Sequence, residues 1–280
     1  MTQVQPKTFL ITGVSSGLGK AFAAAALAAG HTVLGTVRTE SNKVAFESTM
    51  PGRAHAAVLD VTDFDAIEKT IPELLSRHGH IDVLINNAGY GHEGTLEESA
   101  LAEMQRQFNV NVFGAVAMIK AVLPAMRTRR SGHIINITSM GGFITMPGIA
   151  YYCGSKFALE GISEVLGKEV AGFGIKVTSV APGSFRTDWA GRSMVRSYRT
   201  EPDYDTLFDP IREARQAKSG AQSGDPAKAA QAILAIVANP NPPAYLLLGT
   251  DALQLVRAKL SAMSSEIDAW ETLTRSTDYT

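Results

Sequence analysis

The chain has 280 residues, 45% of them apolar and 19% charged, with a formal net charge of −1. That length and balance suit one large domain with a full core, and the near-neutral charge offers no basic field for nucleic acid. A single cysteine, Cys153, excludes an intrachain disulfide and fits a reducing, cytoplasmic setting.

The N-terminal run MTQVQPKTFLITG has no cationic lead, and the apolar stretch from Ala21 to Ala29 is too short to cross a bilayer, so no membrane segment is expected. Short runs rich in Val, Ile and Leu alternate with longer helical stretches. TFLIT (8–12) reads as a strand, and SGLGKAFAAAALAAG as a helix stopping near Gly30. A second strand covers 32–38, a helical stretch 41–50, and a third strand 55–61. Asp63 is suited to cap the next helix, and Pro72 predicts a break or kink inside it. Strand 81–88, a long helix over 98–128, strand 132–139, a helix from Tyr151 to Gly172 and strand 175–183 follow. Residues 184–224 are mixed in composition, PAKAAQAILAIVANP is helical, and 244–249 is a seventh strand. Several strands are apolar on both faces, which marks a parallel sheet covered on both sides. The expectation is α/β: one domain over 1–280, a doubly wound, parallel, seven-stranded Rossmann-like sheet with helices on both faces.

TGVSSGLG (12–19) joins the first strand to the first helix. Gly13, Gly17 and Gly19 permit positive φ or close backbone approach, Ser15 and Ser16 add hydroxyls, and the amides from Leu18 onward open the helix. Such a helix start can hold a pyrophosphate. The second strand ends in Val37-Arg38 instead of an acidic residue. A guanidinium suits a 2′-phosphate, so NADP is favoured over NAD; a solvated surface charge is the plainer alternative for Arg38. Asp60, ending the third strand, could accept from an adenine amino group while Val61 offers its backbone, or Asp60 could be only a turn residue. The six histidines are scattered, and no metal site is expected.

AYYCGSK (150–156) places two tyrosines ahead of a lysine. Residues four apart share a helix face, so Lys156 can approach Tyr152, and a nearby cation lowers a phenol's pKa. A tyrosine docked on the core is the structural alternative.

The ordered set TGVSSGLG, NNAG (86–89), a serine ending the fifth strand and Tyr-x-x-x-Lys resembles the short-chain dehydrogenase/reductase family, in its short single-domain branch, over nearly the whole chain. That resemblance implies Tyr152 as proton donor, since Lys156 lies four residues on, and Tyr151 as a packing residue. It implies Ser139, ahead of its neighbour Thr138, as the hydroxyl bonding a substrate carbonyl. In NVNVFG it points to Asn111, ahead of Asn109, as support for a water chain to the lysine. Asn87, Ala88 and Gly89 would support the cofactor ribose, Pro182 and Gly183 would form the turn beside the nicotinamide, and Thr187 would contact its carboxamide. The implied activity is hydride transfer between the cofactor and a carbonyl or alcohol, with a homodimer or homotetramer formed through helices 98–128 and 151–172. A lid over 184–224 is expected to offer an apolar pocket from Trp189, Met194, Tyr198, Tyr204, Leu207 and Phe208. Tyr90, His92, Phe143 and Met146 would line the other side, while Arg192, Arg196 and Arg199 would meet an anion or simply face water. Two rivals keep the fold: an idle nucleotide sensor, which would show a broken tetrad, and an epimerase or dehydratase without net redox.

Overall fold

Strand β1 (Thr8–Thr12) is buried from Phe9 onward on both faces, as a central parallel strand must be. Its side chains alternate between two cores. Phe9 and Ile11 join Phe22, Ile85 and Ile233 on one side of the sheet. Leu10 joins Leu84, Ile71, Met118 and Leu166 on the other. The structure, a computed structural model, describes residues 5–191 and 193–279; Arg192, expected to face water, lies outside the described residues.

The elements alternate along the chain: α1 (Gly17–Ala28), β2 (Thr32–Val37), α2 (Glu40–Glu47), β3 (Ala54–Val58), α3 (Phe64–His78) and β4 (Val83–Asn86). A short β5 (Gly91–Glu93) precedes α4 (Leu101–Phe108), a π-helical turn (Asn109–Gly114) and α5 (Ala115–Arg129). Then come β6 (Gly132–Ile137), α6 (Ala150–Val170), β7 (Ile175–Pro182), β8 (Met194–Arg196), α7 (Asp205–Ala217), α8 (Pro226–Ala238), β9 (Tyr245–Leu248), α9 (Thr250–Ala269) and α10 (Glu271–Arg275). The main sheet is parallel and seven-stranded, in the order β3-β2-β1-β4-β6-β7-β9. The strand order reverses between β1 and β4, and a crevice opens at the carboxyl ends of these two strands.

Pro72 does not end its helix: α3 runs through it, because Ile67, Ile71 and Leu74 pack into the core and hold the turn despite the lost N–H. Leu101–Arg129 has the length and mean hydropathy (1.5) of a membrane span. Here its apolar residues Met118, Ile119, Val122 and Met126 pack in the core. A second, two-stranded sheet pairs β5 with β8 in parallel, tying the loop after β4 to the 184–224 segment.

Ion pairs fix that segment. Glu93, fully buried, takes Arg196 at 2.7 Å, and Arg215 from α7 also binds it. Glu98 takes Arg199 at 3.0 Å, and the same guanidinium reaches Asp205 at 2.9 Å and Asp209. Arg196 and Arg199 therefore meet carboxylates of their own chain instead of water. Burial opposes ionisation of Glu98, but hydrogen bonds from Thr95, the amides of Thr200 and Glu201, and Arg199 outweigh it and hold the carboxyl at about 2.

Candidate active site

The loop after β1 enters the crevice through two left-handed glycines, Gly13 (φ 74°) and Gly17 (φ 57°). Gly19 is needed for a different reason: a Cβ there would collide with the Asn87 side-chain amide and the Gly13 carbonyl. Asn87 Nδ2 donates to the carbonyls of Thr12 (2.9 Å) and Gly13 (3.2 Å), while Thr12 Oγ1 accepts from the amides of Asn87 and Ala88 at 2.9 Å each. The NNAG segment thus holds the glycine loop from beneath. Ser16 is the N-cap of α1 but its side chain makes no cap bond, and no acid sits in the first turn. Ser15 is exposed. The donor set is uncapped amides, two hydroxyls and no carboxylate, which fits a pyrophosphate.

Around this loop, Arg38 and Asp60 are both exposed at the ends of their strands. Asp60 Oδ1 accepts from Thr62 N (2.9 Å) and Thr62 Oγ1 (2.7 Å), so it also makes a tight turn. Val61 is buried beneath Gly114, where a Cβ would lie 2.8 Å from the Val61 carbonyl. Thr187 faces the loop, with its Cβ 3.8 Å from where a Gly17 side chain would begin. Pro182 ends β7, and Gly183 N donates to Leu248 O (2.8 Å). Asp251 at the start of α9 accepts from Ser184 N (2.8 Å) across Gly183, a support of this turn that no sequence motif announced.

One helix face carries the titrating groups. Tyr152, Lys156 and Glu160 lie four residues apart on α6, all buried. Lys156 Nζ donates to the Ile137 carbonyl (2.8 Å) and lies 5.8 Å from the Tyr152 ring centroid. The Ser139 hydroxyl lies near enough to the phenol to lower its pKa, both flanking Gly141. It also accepts from Gly141 N (3.0 Å), in a turn where a Gly141 Cβ would sit 3.3 Å from Tyr152 Cε1. Thr138 points away, donating to Val180 O (3.0 Å). Tyr151 also points away: its hydroxyl donates to Ser99 O (2.6 Å) and its ring stacks on His92 at 5.0 Å.

Sequence reasoning expected Lys156 to lower the phenol's pKa. The structure has the opposite direction: burial pushes Tyr152 up to about 12, with the Ser139 contact lowering it and Cys153 raising it. Lys156 lies over the ring instead of at the hydroxyl, and burial brings its own pKa down to about 8, against an upward pull from Glu160. Glu160 was missed by motif reading. Burial raises its pKa, and the Thr138 and Ser179 hydroxyls and Lys156 lower it. Yet neither carboxylate oxygen receives a well-aligned hydrogen bond.

Asn111 sits in the π-helical turn, a local widening that turns its amide inward. Its Oδ1 accepts from Tyr90 N (3.2 Å), and its Nδ2 donates to Tyr90 O (3.1 Å) and to Ser155 Oγ (3.0 Å). Ser155 in turn donates to Tyr152 O (2.7 Å). A Gly89 side chain would begin 3.1 Å from Asn111 Oδ1 and 3.7 Å from Lys156 Nζ, so both polar heads converge over this glycine.

Of the expected pocket walls, Trp189 lies 5.0 Å from the Tyr152 ring, and Met146 packs in the same cluster. Met194 and Phe208 are buried. Tyr198 and Leu207 are instead 90% and 64% exposed, and Phe143 meets Tyr245 edge-on at 5.9 Å. Tyr198 and Leu207 lie on the segment that the Glu93 and Glu98 ion pairs tie down, whereas Phe143 follows β6.

Residues 7–195 match the short chain dehydrogenase family. The chain belongs to that family. It is 37% identical over 273 residues to the oxidoreductase BOA17 of Botryotinia fuckeliana, covering 95% of this chain and 97% of that one. It is 41% identical over 242 residues to the 3-ketodihydrosphingosine reductase of Bacteroides thetaiotaomicron, covering 86% and 87%. A solved short-chain dehydrogenase from Streptomyces avermitilis superposes with a TM-score of 0.92 at 41% identity, covering 98% of this chain and all of that one. As a short-chain dehydrogenase the chain is an oxidoreductase that uses a nicotinamide dinucleotide.

Proposed function

We propose that this short-chain dehydrogenase reduces a ketone or aldehyde to an alcohol with NADPH. The observation that carries the reading is the convergence of the Ser139 hydroxyl, the Tyr152 phenol and Lys156 at the crevice beside the glycine loop. A bound nicotinamide dinucleotide supplies the hydride. The chain's own residues do the rest. Ser139 and Tyr152 present two hydroxyl donors to one carbonyl oxygen, where negative charge grows as the bond is reduced. Tyr152 holds the proton that this oxygen takes up. The phenol is protonated at neutral pH, the state that donation requires, although burial makes it a weaker acid. Lys156 steadies the phenolate that donation leaves behind. Asn111 positions the relay by pinning Tyr90 and Ser155.

The preference for NADP rests on Arg38, exposed directly after β2 with no acidic residue at that strand's end. Asp60, Val61, Asn87, Ala88, Gly89, Pro182, Gly183 and Thr187 complete the cofactor cradle in this reading. Segment 184–224 covers the substrate, with Trp189 against Tyr152. The name of the Bacteroides relative, a keto-substrate reductase, supports carbonyl reduction. The enzyme works as a cytoplasmic homodimer or homotetramer.

The test follows NADPH and NADH absorbance against a panel of ketones and aldehydes. NADPH consumption with formation of the matching alcohol is expected, and Arg38→Ala should weaken NADPH far more than NADH. Nucleotide binding with no consumption across the panel would favour the sensor reading. Conversion of substrate without net consumption would favour an epimerase or dehydratase.

A further inference from the structure

Two ion-pair clusters tie down segment 184–224, and they are unbalanced in opposite senses. One guanidinium, Arg199, meets three carboxylates, Glu98, Asp205 and Asp209. One carboxylate, Glu93, meets three guanidiniums, Arg196 at 2.7 Å, Arg215, and Arg212 at 3.8 Å. Arg196 Nε takes one oxygen of Glu93 and Arg215 Nη1 the other. Arg212 is left beyond hydrogen-bonding distance, and it donates no hydrogen bond among the described residues. Its side chain is nevertheless only 23% exposed, and that of Arg215 14%. A guanidinium drawn largely out of water with no acceptor is costly, and one cation on Glu93 would suffice to tether the segment. Both arginines lie on the inner face of α7, following Phe208 at steps of four and three. Phe208 fixes that face by packing at Gly148, where a side chain would overlap its ring.

The cluster faces the candidate site. Gly91 and Glu93 share one face of β5. A side chain at Gly91 would begin 2.9 Å from Trp189 Cζ2 and from Met194 Cε, and Trp189 lies 5.0 Å from the Tyr152 ring. His92, between them, turns the other way and stacks on Tyr151. Arg215 Nη2 donates to the Pro147 carbonyl (3.0 Å), on the loop that leads into α6. Burial raises the pKa of Cys153, the residue after Tyr152, and the charge of Arg215 is near enough to pull it back down. We propose that Arg212 and Arg215 receive an oxyanion carried by the carbonyl substrate, a carboxylate or phosphate at the end opposite the carbonyl; this rests on the carbonyl-reductase reading above. Two guanidiniums offer the forked, charge-assisted bonds that such a group accepts. Glu93 lies about 7 Å along the strand from Gly91, and the Trp189 ring spans the way from Gly91 to Tyr152. The anion then lies ~10 Å from the carbonyl. That separation selects an oxo acid with an apolar chain between its two ends over one whose carboxylate adjoins the carbonyl. Trp189, Met194 and Met146 supply apolar walls for the chain.

The experiment measures, by titration calorimetry of the full chain with NADP present, the affinity for oxo fatty acids of graded chain length and for their methyl esters, which keep the carbonyl and lose the charge. NADPH turnover of the same pairs is followed alongside. An acid of matching length should bind about tenfold or more tightly than its ester, as a charge-assisted hydrogen bond contributes. In Arg212→Met the preference should fall below about threefold, and Arg212→Lys should restore part of it. NADP affinity checks that each variant is folded. Arg199→Met loosens the same segment at its other cluster and should keep the wild-type ratio of acid to ester even where both affinities drop. Equal binding of acid and ester by the wild type, or binding of neither, overturns the proposal. So does a ratio that Arg199→Met lowers as far as Arg212→Met does. Inorganic phosphate binding as tightly as the acid assigns the cluster to a free anion and also overturns it. The two readings fail separately. A preference for the acid with no NADPH turnover keeps the anion site and overturns the reductase reading; turnover of acid and ester alike, at equal affinity, keeps the reductase and overturns the anion site.

Discussion

Helices α6 and α9 are nearly the same length, 21 and 20 residues, and sort their side chains in opposite ways. Helix α6 buries Tyr152, Ser155, Lys156, Glu160 and Ser163 against the sheet. Helix α9 leaves Leu260, Met263 and Ile267 in water. Each arrangement is unfavourable if folding alone is considered, since buried charge is penalised and an exposed apolar stripe gains nothing. The difference teaches that departures from the inside-outside rule are local: the buried charge of α6 lies at the candidate site, and the exposed stripe of α9 lies past the edge of the body.

The largest effect that sharpens the contrast lies within two adjacent residues of α6. Tyr152→Phe should lower turnover by roughly 10³-fold, in the range a positioned general acid contributes, while nucleotide binding measured by fluorescence stays within a few-fold. Tyr151→Phe removes a hydroxyl that only donates to Ser99 O; it should cost about 1 kcal/mol of stability and leave turnover within about tenfold of wild type. Comparable losses at both positions would erase the distinction between a reacting face and a packing face.

How far the sequence carried this distinction depends on the range of the interaction. The strands were legible because burial on both faces leaves unbroken apolar runs, as in Phe9-Leu10-Ile11, and the seven-stranded parallel order follows from their alternation with helices. The Tyr152–Lys156 spacing was legible because a helix makes four-residue neighbours of them. The direction of the phenol's shift was not: it depends on burial, to which Trp189 from another element contributes. Nor were the ion pairs of 184–224 readable, because Glu93 and Arg196 are separated by more than a hundred residues. The π-helical turn at Asn111 escaped notice because NVNVFG reads as ordinary helix. Helix α9 follows the last strand, where no motif marks it.

A smaller effect, on stability, separates the two helices themselves. Leu166 on α6 belongs to the core beneath the sheet and is 8% exposed, whereas Leu260 on α9 is 55% exposed. Leu166→Ala should cost about 2–5 kcal/mol in urea unfolding, by lost transfer energy and the cavity left behind. Leu260→Ala, measured at a concentration where the chain is monomeric, should stay within about 0.5 kcal/mol. A large loss at Leu260 under those conditions would mean that this part of α9 packs against its own body.

The smallest effect tests why α6 tolerates buried charge at all. Burial lowers Lys156 to about 8, and the Glu160 carboxylate pulls it back up. Because this folded value lies below the unfolded one, the unfolded chain binds the proton more tightly between about pH 8 and the ordinary lysine value near ~10.5. Below pH 8 both states are protonated and the fold carries the whole penalty of a buried ammonium. As pH rises through that window the penalty is relieved, so this group makes the fold more stable toward alkaline pH. Glu160→Gln removes the upward pull, so Lys156 should titrate at lower pH and the window should open earlier. The measurement is the pH dependence of urea stability together with the alkaline limb of the turnover profile. Both should move to lower pH in the variant, while turnover at the new optimum is largely kept, because Glu160 acts through Lys156. A variant whose turnover falls at every pH with an unmoved limb would assign Glu160 a packing role only, and the charge on α6 would then be held by Lys156 and the Ile137 carbonyl alone.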